Sequence, residues 1–140
     1  MLLKQLSVFL ENKAGRLTQV TKVLNENAVN ISAFSIADTA EFGILRMIVD
    51  KTDVALAALK AQGFSVNTTL VVGLVISHQP GGLYKVLEQL DKAEIEIEYL
   101  YAFAHNAEAA VVIKSNDVEY AAKTLSDTGY NLLKEGELSK

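Results

Sequence analysis

The chain has 140 residues, half of them hydrophobic, with 17 acidic and 13 basic side chains and a net charge of -4. That much apolar material supports a sizeable core and excludes a disordered chain, while an acidic balance with just two arginines, Arg16 and Arg46, excludes a phosphate-tracking surface and so a nucleic-acid partner. There is no cysteine, which removes disulfides, thiolate metal sites and cysteine nucleophiles together.

The opening residues, Met1 to Gln5, lack the apolar stretch and cleavage site of a secretory signal. The longest apolar run, Leu70 to Ile76, is far below the roughly 18 residues that span a bilayer, so no membrane association and a cytoplasmic location are expected. Leu6 to Leu10 (LSVFL) reads as a strand, and Gly15 and Arg16 then open a segment with Leu17, Val20, Thr21 and Leu24 at helical spacing. Asn30 to Ile36 and Gly43 to Val49 read as two strands, with a polar turn over Asp38 to Glu41. Asp50 is placed to cap a second helix, with Asp53 three residues on, and Gly63 to terminate it in the left-handed conformation. Phe64 to Thr68 supplies a last strand.

The same order then recurs. Displaced by 66 positions and without a gap, Gly15 falls on Gly81, Leu17 on Leu83, Val20 on Val86, Leu24 on Leu90, Ile31 on Ile97, Ala55 on Ala121, Leu59 on Leu125 and Gly63 on Gly129. In the second copy Asn116 and Glu119 occupy the capping positions, and Tyr130 to Leu133 forms the last strand. Each copy therefore reads β-α-β-β-α-β, which predicts an α+β protein of two ferredoxin-like units, each a four-stranded antiparallel sheet with two helices on one face. The boundaries expected are 1–68 and 69–140, with only Asn67 to Thr69 between the flanking strands, so the two are expected to pack as one rigid pair. Leu70 to Ile76 is apolar on both rows, and Ile44 to Val49 nearly so, which predicts a second covered sheet face and favours sheet packing in a homodimer.

The residues Glu11-Asn12-Lys13-Ala14-Gly15-Arg16-Leu17, between a strand and a helix, resemble the first-loop signature of the ACT domain family, and Val29-Asn30-Ile31-Ser32 resembles its second. His78-Gln79-Pro80-Gly81-Gly82-Leu83 is the Pro-Gly form of the same loop, followed by Glu96-Ile97. The two copies account for nearly the whole chain and leave no room for the catalytic domains that such units usually regulate. The resemblance implies a tandem, non-catalytic regulatory protein that binds an amino acid or related metabolite between two such units, with a partner enzyme as its target. It implies contacts from Asn12, Ala14, Gly15, Arg16, Leu17, Asn30 and Ile31, and from His78, Gly81, Gly82 and Leu83; Asn12 and Asn30 are replaced by His78 and Glu96 in the second copy.

These residue types suit the task. A glycine loop at a helix N-terminus offers unpaired N–H groups to a carboxylate, an asparagine offers a donor and an acceptor, and Arg16 offers a planar fork. Two histidines in separate loops make no metal site, and no cofactor motif or catalytic Ser, His and acid signature is present. The other readings of this frame are a structural adaptor without its own ligand and, on Arg16 alone, an acylphosphatase-like hydrolase.

Overall fold

The structure, a computed structural model, describes residues 2–11, 13–38, 41–105, 107–135 and 137. Its elements run β1 (Leu3–Glu11), α1 (Arg16–Glu26), β2 (Ile31–Asp38), β3 (Phe42–Val49), α2 (Thr52–Ala61), β4 (Ser65–Ser77), α3 (Gly82–Lys92), β5 (Ile97–His105), β6 (Glu108–Ser115), α4 (Val118–Asp127) and β7 (Asn131–Leu132). The α+β class with two βαββαβ units is as the hydrophobic periods imply. The chain separates into two compact units, one holding Lys4–Thr69 and the other Leu70–Glu135 together with Leu2 and Leu3. In place of a short link between strands, β4 runs unbroken for 13 residues, giving Ser65–Thr69 to the first unit and the rest to the second.

Period-two alternation sends Leu6, Val8 and Leu10 of β1 to the helix-covered face, while α1 and α2 meet them with Val20 and Leu24 and with Ala55 and Leu59, each pair one helical turn apart. The second core is the first shifted by 66: Val72, Leu74 and Ile76 from β4, Val86 and Leu90 from α3, Ala121 and Leu125 from α4. Burying a leucine of this kind stabilises by about 1.5–3 kcal/mol, so these rows dominate each unit's stability. Strand register repeats as well. Leu6 pairs with Met47 and Glu11 with Phe42, as Val72 pairs with Ile113 and Ser77 with Glu108. A bulge between Ile31 and Ala33 recurs between Ile97 and Tyr99. Strand order is β2-β3-β1-β4 in the first unit and β5-β6-β4-β7 in the second.

Gly63 (φ 89°) and Gly129 (φ 94°) end α2 and α4 in the left-handed conformation expected of them. The amides that follow, Phe64 and Tyr130, close back on the carbonyls of Leu59 and Leu125 at 3.1 and 3.0 Å. The ends of α1 and α3 use the same geometry without glycine: Ala28 sits at φ 55° and Glu94 at φ 57°. A left-handed residue with a Cβ costs roughly 1–2 kcal/mol, partly offset by the greater unfolded-state entropy of glycine. Ala28→Gly and Glu94→Gly are therefore each expected to stabilise by about 0.5–1 kcal/mol, read as an upward shift of the urea midpoint.

The helix starts differ from the expected caps. Asp50 does not cap α2: its Oδ1 accepts the backbone N–H of Asn30 at 2.9 Å while its own N–H donates to the Asn30 carbonyl at 3.1 Å. Asn116 does the same with Glu96, at 3.3 and 3.1 Å. The residue that caps α4 is Asp117, which accepts the Tyr120 N–H at 3.0 Å.

The second face of β4 is also filled. A methyl on Gly73 would meet Leu3 and, less closely, Leu133, whose N–H donates to the Gly73 carbonyl at 2.7 Å. Residues of the same unit thus cover this row at Gly73, so its apolarity there does not require a second chain. The polar turn expected between β2 and β3 lies partly outside the described residues, at Thr39 and Ala40.

Candidate functional site

Both helix-opening loops are built by one backbone device. Gly15 and Gly81 cap α1 and α3 at φ 87°, neither helix receives a side-chain cap, and neither has an acidic residue in its first turn. The positive φ explains the glycines without any ligand. Their surroundings add a second property: an extra Cβ on either would have nothing within 4 Å, so there is room beside each glycine, while the Arg16 and Gly82 N–H groups donate back to the Lys13 and Gln79 carbonyls at 3.3 and 3.0 Å. Gly82 is different. A methyl there would run into the Ser77 carbonyl oxygen, so its small size is a packing requirement of the loop.

In the first loop Glu11 pairs with Lys13 at 2.9 Å and lies 3.8 Å from Arg16, whose Nη1 donates to Gln19 at 3.1 Å. The Lys13 hydrogen bond, then the charges of Lys13 and Arg16, hold the Glu11 carboxyl below its usual range. Ala14 and Leu17 are exposed and Arg16 is partly so; Asn12 lies outside the described residues. In the second unit His78, Gln79 and Leu83 come together with Ile76, Ala102 and Val111 around a cleft of about 180 Å³. The position of Ala102 is held by the larger Ile36 in the first unit.

Asn30 and Ile31 are not brought to the loop. They follow the C-terminal end of α1, whose 11 residues separate them from Gly15 by about 16 Å. The strand register agrees, since Ile31 lies opposite Val49 and Glu11 lies opposite Phe42, at the other end of β3. Ile31 is half-buried against the core. Asn30 is exposed, its backbone held by Asp50, and among the described residues its side-chain amide has no hydrogen bond. Asp50 and Asn116 are the residues that the sequence reading misplaced; the signal available was their shared 66-residue offset directly after a strand.

Among the described residues no three His, Asp or Glu side chains converge as a metal site, and no helix is long and apolar enough to cross a membrane. The tandem βαββαβ frame, the paired glycine loops and the match of residues 1–140 to the ACT domain pair now stand together. The chain belongs to the ACT domain pair family. This ACT pair is similar to the solved protein BT0572 of Bacteroides thetaiotaomicron, with 47% identity over 100% of this chain and 97% of that one and a TM-score of 0.96. It shares its fold with the ligand-free regulatory subunit of aspartate kinase from Thermus thermophilus, at 15% identity, covering 90% of this chain and 91% of that one, with a TM-score of 0.65. The aspartate kinase regulatory subunit of Thermus flavus gives 16% identity, 89% and 90% coverage and a TM-score of 0.61. Comparison with curated proteins finds no match.

Proposed function

We propose that this ACT pair is a non-catalytic regulatory protein that binds a free amino acid or closely related metabolite at its helix-opening loops and transmits that occupancy to a partner enzyme. The observation that carries the reading is the pair of glycine-opened helix N-termini at Gly15 and Gly81, neither with a side-chain cap and each with nothing within 4 Å of the added Cβ position. Beyond the Arg16 and Gly82 amides, which the Lys13 and Gln79 carbonyls take, the first-turn N–H groups and the positive dipole end suit an α-carboxylate.

The separation of Gly15 from Asn30 gives the site its second requirement. One small ligand cannot touch both ends of one α1, but two copies of the chain with their α1 helices antiparallel would set the Gly15 loop of one against the Asn30 edge of the other. The proposal therefore includes a homodimer, and it gives the free Asn30 amide a role as donor and acceptor for the ligand's main-chain atoms.

Thermal-shift screening against the twenty amino acids tests this. A ligand that binds only the folded state adds about 2.7 kcal/mol of stability at roughly 100 Kd, a shift of several degrees. At least one amino acid is expected to raise the midpoint, and Asn30→Ala is expected to weaken it by about 1 kcal/mol, the value of one hydrogen bond. No shift from any of them at millimolar concentration overturns the reading; an unchanged affinity in Asn30→Ala removes Asn30 from the site.

A further inference from the structure

The first unit carries a cleft that the second does not repeat in its chemistry. Residues directly opposed across a strand pair, and residues two apart along a strand, share a face. Phe9 and Glu11 of β1 are two apart, and Phe42 lies opposite Glu11. With Phe64, which leaves the turn after α2, and Arg16 at the start of α1, they line a cleft of about 270 Å³. Phe9 and Phe42 are each 50% exposed.

The repeat supplies an internal comparison. At the matching positions, in a strand pair of the same register, the second unit has Val75, Ser77 and Glu108, with Gly82 and Tyr130 in place of Arg16 and Phe64. The frame therefore folds without two half-exposed phenylalanines and without the facing charges. Their presence in the first unit leaves apolar surface in water that an apolar guest would cover.

The polar side of the cleft narrows the guest. The Arg16 guanidinium has five N–H donors, of which one goes to Gln19, and its approach to Glu11 is a loose 3.8 Å. Glu11 has its nearer partner in Lys13, leaving carboxylate acceptor capacity beside the cleft. Lys13 and Arg16 together outweigh Glu11, so a carboxylate is favoured at Arg16, and both cations approach the same Glu11 oxygen, which leaves the other one for an ammonium; a zwitterion uses both. The volume lies just under the roughly 300–1,000 Å³ of drug-sized sites, which fits one amino acid and is small for a nucleotide.

We propose that the first unit binds an α-amino acid with an apolar side chain, the side chain among Phe9, Phe42 and Phe64, the carboxylate on Arg16 and the ammonium on Glu11. This rests on the amino-acid reading above and adds to it the ligand's class, the seat of its side chain, and Arg16 and Glu11 as charged partners of its main-chain groups beside the helix N–H groups and Asn30. The test is isothermal titration of the full chain with L-phenylalanine, L-leucine, L-aspartate and L-lysine, for the wild type, Phe42→Glu and Arg16→Gln. Phe42→Glu installs the residue that the second unit tolerates at this position; if it fails to fold by circular dichroism, Phe9→Val serves in its place. The expected result is binding of phenylalanine or leucine, weakened at least tenfold by Phe42→Glu and at least fivefold by Arg16→Gln, with the polar pair binding at least tenfold more weakly. Binding of aspartate or lysine ahead of the apolar pair, or apolar binding unchanged within twofold by both variants, overturns the inference and leaves the broader amino-acid reading standing. Absence of binding by all four overturns the inference, and the broader reading falls with it only if the full amino-acid screen is also negative.

Discussion

Leu59→Ala and Leu125→Ala are each expected to lower the unfolding free energy by about 3 kcal/mol, within the range of 2–5 kcal/mol for buried leucine truncations. Both side chains are fully buried, and they sit 66 positions apart at the same place in their cores. The residue one turn earlier is alanine in each helix, Ala55 and Ala121, also fully buried. That pairing lets the helix approach its sheet closely and leaves the leucine as the main space-filler at the contact, so truncation opens a cavity that a tightly packed sheet refills poorly. Against a total of about 5–15 kcal/mol for a domain, the loss is a large fraction of what holds either unit folded. Urea unfolding followed by circular dichroism measures it. A loss below about 1 kcal/mol in either variant would show that the corresponding core is not organised around this position.

Gly82→Ala is expected to cost about 2 kcal/mol, within the range of 1–3 kcal/mol for a forced steric overlap, whereas Arg16→Ala at the matching position should change stability by less than about 0.5 kcal/mol. The new methyl meets the Ser77 carbonyl oxygen, a backbone atom held in place because Ser77 pairs with Glu108 in the sheet. Backbone in a ladder yields less readily than the tip of a side chain. Arg16 already carries a Cβ in the first loop, so that loop has the room which the second lacks. Equal midpoints for the two variants would show that the Ser77 carbonyl moves aside easily and that Gly82 is free to serve a ligand.

Much of this architecture was legible from residues because the repeat constrains it twice. The pairs Val20 with Val86, Leu24 with Leu90 and Leu59 with Leu125 marked the helix faces that line the cores, and Gly63 and Gly129 marked helix ends that need positive φ. What escaped is physical in each case. Ala28 and Glu94 adopt the left-handed conformation as the following amides, Val29 and Ile95, return to the Leu24 and Leu90 carbonyls; closing the helix end in this way outweighs the local preference for glycine. Asp50 and Asn116 resemble helix caps by spacing, but each accepts the N–H of a residue 20 positions earlier, a partner that local sequence does not disclose. The junction between the copies contains polar residues, Asn67 to Thr69, yet it is continuous strand, because strand pairing uses the backbone and tolerates polar side chains that stay exposed, as Asn67 and Thr68 do.

The proposed binding residues were less legible than the frame. Sequence motifs grouped Gly15 with Asn30, and the length of α1 sets them apart within a unit. Phe9 read as an ordinary strand hydrophobic and Phe42 fell between the predicted turn and strand; only their exposure and the contrast with Val75 and Glu108 single them out.

The central claim, that an amino acid binds at the helix-opening loops, is tested most directly by titrating isotope-labelled chain with the amino acid that gives the largest thermal shift and following the backbone amides by NMR. The amides of Gly15, Arg16 and Leu17, or of Gly81, Gly82 and Leu83, are expected to move with a single saturable affinity, with Asn30 moving in the same titration. Movement confined to residues away from both loops, or no movement with any of the twenty amino acids, would contradict it.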